Sequence, residues 1–435
     1  MMLGIYRLAS VLAAPLVEKY LRRRRDQGKE DPIRFSERLG KEMAPRPQGT
    51  LVWIHAASVG ESLSALPIIN RLLETSAHPH ILVTTGTLTS ARIMAERLPE
   101  GALHQYVPVD LLYPVRRFLD HWQPDLALWI ESEFWPNLML ETHRRNIPMV
   151  LVNARISRRS FAIWRRLPFL IRPLLETFSL SLGQDETEAE RLTVLGAKKV
   201  AAPGNLKYVA APLPADETEL ARMDEMCRGR PLWLAASTHP GEEEIVSEVD
   251  RNLRAHFPNL LTIIVPRHPG RGAAIDRILR ADGHSVARRS SGDIAGPETD
   301  IYLADTLGEL GLFYRLARAV FMGGSLVHHG GQNPLEPGQL GCAIALGPHT
   351  ENFRKIVTEM RAGEAAIEVK DMNGLTKAMT LLLSDPTQCK AMGKRAAGIA
   401  GAKQAVLGEI LSLITPFLDQ IKDKKKATGG GDANT

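Results

Sequence analysis

Leu51-Val52-Trp53-Ile54-His55-Ala56-Ala57-Ser58-Val59-Gly60-Glu61-Ser62 is the stretch from which the fold of this 435-residue chain is read. Leu51 to His55 form an apolar run of strand length. A polar, glycine-containing turn follows, and Leu63, Leu66, Ile69 and Leu72 then recur at helical spacing. Strand, short turn and amphipathic helix in that order are half of a βαβ unit. The same rhythm continues through Ile81 to Thr85, Leu126 to Ile130, Met149 to Asn153 and Leu180 to Gly183. It restarts with Leu232 to Ala236, Leu261 to Val265, Ile301 to Ala304, Ala319 to Met322, Ala343 to Leu346 and Ala366 to Val369. Near-continuous apolar strands are those of parallel sheets covered on both faces. Two α/β domains are therefore expected.

Pro203 through Pro214 is rich in Pro and Gly and poor in periodic apolar positions, which places a linker there. Helical segments from about 373 to 421 close the second domain, and the polar composition of 422–435 reads as a disordered tail. The resulting division is an N-terminal segment 1–25, a first domain 26–208, a second domain 209–421 and the tail. No internal repeat of 20 to 50 residues is visible. With 44% apolar and 24% charged residues the chain has ample core, which excludes bulk disorder.

Lys and Arg number 54 against 49 Asp and Glu, so the net charge of +5 is small and any anionic partner must be met by local clusters. Such clusters stand at Arg22 to Arg25, at Arg144, Arg145, Arg158, Arg159, Arg165 and Arg166, and at Lys424 to Lys426. They lack the aromatic interleaving or helix-turn-helix setting of a nucleic-acid binder, so nucleic acid is not an expected partner. Cys227, Cys342 and Cys389 are far apart and in no metal-ligand spacing, which fits a reducing cytoplasm and neither a disulfide framework nor a zinc site. Leu8 to Val17 is about half the length needed to span a bilayer. Ile5, Leu8, Leu12, Leu16 and Tyr20, followed by four arginines, suit a helix lying on an anionic membrane surface. Packing of the same segment against the body of the protein, with solvated arginines, is the plainer alternative.

Open parallel sheets bind ligands beyond the carboxyl ends of their strands, so the chemistry is sought in the loops there. After the first strand, Glu61 can be read as a base that takes a proton from an attacking hydroxyl. Ser58 three residues before it also completes a capping box, in which the glutamate only serves its own helix start. After Leu126 to Ile130, Glu131-Ser-Glu133-Phe-Trp135-Pro136-Asn137 offers two acids before a helix that Pro can start. Lys207, in Gly204-Asn-Leu-Lys207-Tyr208, is a cation in the linker, where it could reach a phosphate or be simply solvated. In the second domain Pro266-Arg267-His268-Pro269 ends a buried strand with a cation suited to phosphate. The run from Gly323-Gly324-Ser325 to Asn333-Pro334-Leu335-Glu336 lines a strand-to-helix turn, where backbone or phosphate contacts are expected and Glu336 can accept hydrogen bonds from a ribose. It matches neither the Walker pattern nor Gly-x-Gly-x-x-Gly. His328 and His329 have no suitably spaced partner for a metal.

Taken together, His55 to Ser62, Ile130 to Asn137, Gly204 to Tyr208, Pro266 to Pro269, Asp305-Thr-Leu-Gly308-Glu309-Leu310 and Gly323 to Glu336 resemble the 3-deoxy-D-manno-octulosonic acid (Kdo) transferases of Gram-negative bacteria, over roughly residues 1 to 420. The resemblance implies a GT-B glycosyltransferase fold, two Rossmann-like domains facing across a cleft, with a short N-terminal membrane-associating helix. It implies transfer of Kdo from CMP-Kdo onto the lipid A precursor, lipid IVA, with inversion, on the cytoplasmic face of the inner membrane. Carried over by position, Glu61 resembles the general base, and Glu131 and Lys207 the pair that stabilises the transition state. Pro266 and Arg267, Gly308, Glu309 and Leu310, and Asn333, Pro334, Leu335 and Glu336 resemble the CMP site. No cofactor or metal is implied, and there is no Asp-x-Asp sequence to hold one. Val209 stands where the family commonly has an aspartate, so the resemblance supplies no neighbouring acid to orient Lys207. The alternative on the same fold is a UDP-sugar transferase or a nucleotide-sugar 2-epimerase, which would share the second-domain loops without needing the N-terminal segment.

Overall fold

The structure is a computed structural model and describes residues 2–75, 78–209 and 212–429. It divides into two compact units, Met1–Val209 with Lys403–Thr435, and Ala210–Ala402. In the first unit, β1 (Leu51–His55), β2 (His80–Thr85), β3 (Ala102–Tyr106), β4 (Leu126–Ile130), β5 (Met149–Ala154), β6 (Leu180–Gly183) and β7 (Val200–Ala201) form one parallel sheet in the order β3-β2-β1-β4-β5-β6-β7. In the second, β8 (Leu232–Thr238), β9 (Leu261–Pro266), β10 (Val286–Arg288), β11 (Ile301–Leu303), β12 (Ala319–Met322), β13 (Ala343–Leu346) and β14 (Ala366–Glu368) give β10-β11-β9-β8-β12-β13-β14, again parallel. Both sheets are covered by helices on both faces, because their central strands are buried along their whole length.

The strand order reverses direction between β1 and β4 in the first sheet and between β8 and β12 in the second. Those are the switch points at which the loops diverge and leave a crevice above the sheet. Glu61 follows β1, Glu131 follows β4, and Gly323 follows β12, so the topology brings to the crevices the loops read from the sequence. Three strands had no counterpart among the expected runs, β3, β7 and β10, and all lie at sheet edges. An edge strand is covered less completely, so its residues need not be continuously apolar; β3 is half open along Ala102 to His104.

One face of the first sheet carries an aromatic core in which Trp53 stands edge-on to Trp129 at 5.5 Å and tilted against Phe118 at 5.2 Å. The other face is covered by Ile68, Ile69 and Leu72 of the helix Val59–Leu73 and by Val406, Ile410, Ile414, Leu418 and Ile421. The latter five belong to a helix that runs from Pro386 to Gly429. The expected division is therefore corrected: residues from Lys403 onward belong to the first unit and not to a continuous 209–421 domain. The supposed tail is helical through Gly429, and only 430–435 lie outside the described residues. The lysine run that suggested a solvated tail is anchored, since Lys425 Nζ lies 2.8 Å from Asp125 Oδ2 and 3.0 Å from the Gly49 carbonyl. By length and composition Pro386–Lys425 would also suffice to cross a membrane; one seam of it, from Val406 to Ile421, is buried in the first unit.

Gly204 makes the return of this helix possible. Its φ is +119°, and a Cβ there would stand 2.6 Å from Val406 Cγ2. The N-terminal segment forms two helices, Met2–Leu12 and Ala14–Asp26, with Pro15 in the first turn of the second. Tyr6 donates to Asp110 (2.8 Å), Arg7 pairs with Glu141 (2.6 Å) and Leu21 packs with Phe35 and Leu39. Ile5, Leu8, Leu12, Leu16 and Tyr20 stay exposed, between 55 and 72%. Of the four consecutive arginines, three are in ion pairs: Arg22 with Glu18, Arg24 with Glu30 and Arg25 with Asp26.

Candidate active site

Glu61 enters on the first turn of the helix Val59–Leu73, whose N-cap is Ser58. Its Oε1 accepts from the Ser58 hydroxyl (2.9 Å) and its Oε2 from the Ala57 N–H (2.7 Å), while its own N–H reaches Ser58 Oγ at 3.4 Å. The capping interaction is thus present, with the carboxylate reaching one residue further back than the cap itself. The residue is only 6% exposed. Burial raises its carboxyl above the usual range, the bonds from Ser58 and Ala57 oppose that shift, and the charges of Glu131 and Glu133 add to it. Capping and proton acceptance are compatible in this geometry, because a carboxylate with several lone pairs keeps capacity after two donors. Beside it opens a cavity of about 280 Å3, walled by Ala57, Ser58, Thr87, Asp110, Glu133 and Trp135 among others.

Glu131 ends β4 in the left-handed region, φ +61°, with its N–H bonded to the Val152 carbonyl at 2.9 Å. Its Oε1 lies 2.5 Å from Lys207 Nζ. Lys207 sits on the single 3-10 turn Leu206–Tyr208, capped by Asn205, whose Oδ1 accepts from the Lys207 N–H at 2.9 Å. Its side chain remains 40% exposed and the glutamate 18%, so the pair is open to solvent on the lysine side.

In the second unit Ser237, next to last in β8, has φ +57°, and the backbone just after β12 lies so close that a Cβ on Gly323 would stand 2.4 Å from the Ser237 carbonyl oxygen. A cavity of about 280 Å3 opens there, lined by Ser237, Pro266, Arg267, Gly308, Leu310, Gln332 and Glu336 among others. Burial raises the Glu336 carboxyl, opposed by a 3.3 Å hydrogen bond from Asn333 Nδ2 and by the charge of Arg267. At Gly324 to Leu326 the glycine-rich turn is not an open anion cradle. Its amides already hold an internal anion: the buried Glu242 carboxylate accepts from Gly324 N (2.6 Å), Ser325 N (3.0 Å), Leu326 N (3.0 Å) and His239 N (3.0 Å). The phosphate reading of those amides is corrected on that ground.

A family model described as 3-deoxy-D-manno-octulosonic-acid transferase (kdotransferase) matches residues 33–210. The 3-deoxy-D-manno-octulosonic acid transferase of Haemophilus influenzae is 34% identical over 397 residues, covering 89% of this chain and 92% of that protein. The chain belongs to the Kdo transferases. It is a glycosyltransferase of lipopolysaccharide synthesis. A glycosyltransferase structure from Rickettsia africae (10% identity, TM-score 0.53, 86% of this chain and 99% of that one) and a UDP-GlcNAc 2-epimerase structure from Neisseria meningitidis (13%, 0.53, 83% and 100%) share its fold. The fold is GT-B.

Of the residues singled out in this Kdo transferase, Glu131 and Lys207 are in direct contact, and Glu61 lies close enough to Glu131 to feel its charge. Pro266, Arg267, Gly308, Leu310 and Glu336 line one cavity. Glu309 does not: it is bound by the Arg289 guanidinium (Nε 2.7 Å), which holds its carboxyl below the usual range. Leu335 is core, 1% exposed, and Pro334 opens the short helix Leu335–Gln339. Asn333 supports that turn, its Oδ1 accepting from Leu335 N at 3.2 Å. Sequence reasoning passed over Thr238-His239-Pro240-Gly241-Glu242-Glu243. Besides Glu242, Glu243 accepts from Thr238 (2.8 Å) and from both Arg271 terminal nitrogens (2.8 and 2.9 Å), which ties down the Pro266–Arg271 loop. The signal was available as three consecutive acids, Glu242 to Glu244, at a helix start that follows a buried strand within four residues, where anions meet free amides.

Proposed function

We propose that the chain transfers Kdo from CMP-Kdo to a hydroxyl of the lipid A precursor lipid IVA, with inversion at the anomeric carbon. In this reading Glu61 takes the hydroxyl proton as the acceptor oxygen bonds to the anomeric carbon. The bond from that carbon to the CMP phosphate oxygen breaks, and CMP leaves with the electron pair. Lys207, held by Glu131, meets the negative charge that develops. Pro266, Arg267 and the Gly308–Leu310 backbone hold the nucleotide, and Glu336, presented by Asn333, accepts from its ribose. Arg267 supplies the positive charge for the departing phosphate, so the reading needs no divalent metal.

The observation that carries the reading is Glu61: a carboxylate 6% exposed, raised by burial, beside a cavity at the switch point of the first sheet. A base whose affinity for protons is raised toward working pH is better matched to its task. Placement at the cytoplasmic face of the inner membrane is supported by the exposed Ile5, Leu8, Leu12, Leu16 and Tyr20. The exposed Arg158, Arg159, Arg165 and Arg166 support it as well, because the helix Met2–Leu12 packs against Pro168–Leu175, next in the chain to those arginines.

The test is mass spectrometry of lipid IVA incubated with CMP-Kdo and either wild type or Glu61→Gln, which keeps an acceptor for the cap. Wild type is expected to add one or more Kdo masses, and the variant to lose about 100-fold or more in rate. The wild-type rate should fall as pH drops through the raised carboxyl pKa, because the base must be ionised. A Glu61→Gln enzyme with wild-type turnover would remove the base assignment, and a wild type that adds no Kdo would remove the reaction.

A further inference from the structure

Lys207 stands on the three-residue turn Leu206–Tyr208, and the residue after that turn, Val209, is apolar and buried in the core, so no acid next in the chain helps to place the lysine. What holds the turn is a run of three uncharged amides. The Lys207 N–H donates to Asn205 Oδ1 (2.9 Å), Asn205 Nδ2 donates to Gln184 Oε1 (3.1 Å), and Gln184 Nε2 donates to the Asn153 carbonyl (3.1 Å). The run closes on the turn again, because Asn153 Oδ1 accepts from the Leu206 N–H at 2.9 Å. The two backbone donors fix the amide orientations, since each must meet an oxygen.

Asn153 is fully buried, sits at φ +59° where β5 shifts register against β6, and leaves its Nδ2 without a hydrogen-bond partner among the described residues. A left-handed backbone and an unpaired buried donor both cost stability, and such strain persists at positions the surrounding structure over-determines. The carbonyl of the preceding residue, Val152, accepts the Glu131 N–H. Both members of the Glu131–Lys207 pair therefore hang on the same two residues of β5.

We infer that Asn153, Gln184 and Asn205 are positioning residues that set Lys207 against Glu131 for the transfer step. The inference rests on the proposed role of Lys207. Lysine is a long, flexible side chain, and only its backbone origin is placed in advance; a shift of about 1 Å at that origin can cost about 100-fold in rate.

The experiment measures steady-state and single-turnover Kdo transfer by the full chain. Its variants are Gln184→Ala, Asn205→Ala, Asn205→Asp, Lys207→Ala and the Gln184→Ala/Lys207→Ala double. Gln184→Ala and Asn205→Ala are expected to lower kcat by about 10- to 100-fold with little change in KM for either substrate. Asn205→Asp keeps the oxygen that receives the Lys207 N–H but sets its other oxygen against Gln184 Oε1, and is expected to lose about as much rate as Gln184→Ala. Gln184→Ala is expected to add no loss where Lys207 is already alanine, which a general loss of folding would not reproduce. Asn205 is only half-buried, so its two variants keep the test decisive if Gln184→Ala folds poorly. Wild-type kcat in Gln184→Ala and Asn205→Ala beside an inactive Lys207→Ala, or additive losses in the double variant, overturns the inference alone. Wild-type rate in Lys207→Ala overturns the role of the lysine and the inference with it.

Discussion

Replacing Glu242 probes how the second unit is assembled. Its Oε1 accepts from Ser325 N and Leu326 N, both at 3.0 Å, and its Oε2 from Gly324 N and His239 N, at 2.6 and 3.0 Å. In Glu242→Gln the amide nitrogen takes the place of one oxygen and sets two donors against two donors. At about 1.5–3 kcal/mol for a hydrogen bond to a charged group, the two bonds lost cost about 3 kcal/mol or more. Glu242→Ala loses all four, about 6 kcal/mol or more on the same scale, which approaches the whole stability of a typical domain, about 5–15 kcal/mol. Hydrogen exchange of the full chain in a guanidinium series, followed by mass spectrometry of peptides covering β8 and the 319–326 stretch, reads this unit separately from the first. The variants should exchange in the order wild type, Gln, Ala, from slowest to fastest. A Gln variant within about 1 kcal/mol of wild type would refute the argument, because it would mean that the amides are satisfied without the carboxylate.

Gly204→Ala is expected to destabilise the first unit by about 2–4 kcal/mol, from a left-handed backbone and the contact with Val406; recovery of part of the loss in the Gly204→Ala/Val406→Ala double would confirm the source, and an unchanged denaturation midpoint would contradict it. His55 is fully buried, and burial, followed by the charge of Arg38, lowers its pKa to about 3, against a backbone hydrogen bond with Thr84 that raises it. The unfolded chain therefore binds the proton first: stability falls as pH drops from about 6.5 toward the folded value, by up to about 5 kcal/mol. His55→Gln should show a shallower dependence of unfolding free energy on pH between 7 and 4, and identical slopes would count against the assignment. Leu8→Asp/Leu12→Asp, at positions 61 and 72% exposed, should weaken binding to anionic phospholipid vesicles about tenfold or more without changing the denaturation midpoint. Unchanged vesicle binding would count against a membrane-associating role for the N-terminal helices.

The central strands were legible because a strand buried on both faces must be apolar along its length, and each expected run matches an observed strand within a residue or two. Of the edge strands, β3 escaped because its half-open positions tolerate polar residues, and β7 and β10 because two and three residues are too short to make an apolar run. Glu61 and Glu131 were legible as acids in strand-end loops and Lys207 as a cation of the linker, and Pro266, Arg267, Gly308, Leu310 and Glu336 fall on one cavity. Glu309, Asn333, Pro334 and Leu335 read equally well in sequence but do not line that cavity, a distinction that depends on where each side chain points.

Two parallel α/β units and the strand-end loops of the candidate site follow from local sequence, because strand and helix periodicity and turn residues act over a few positions. Tertiary structure alone decided that Glu242 fills the amides of a loop 82 positions away, and that Leu206 answers to Asn153 across 53. It also decided that the last helix turns its Val406-to-Ile421 seam to the first sheet. Such pairings carry no local pattern: a buried anion needs donors and an apolar seam needs a partner, but only the packed sheets settle which distant residues supply them.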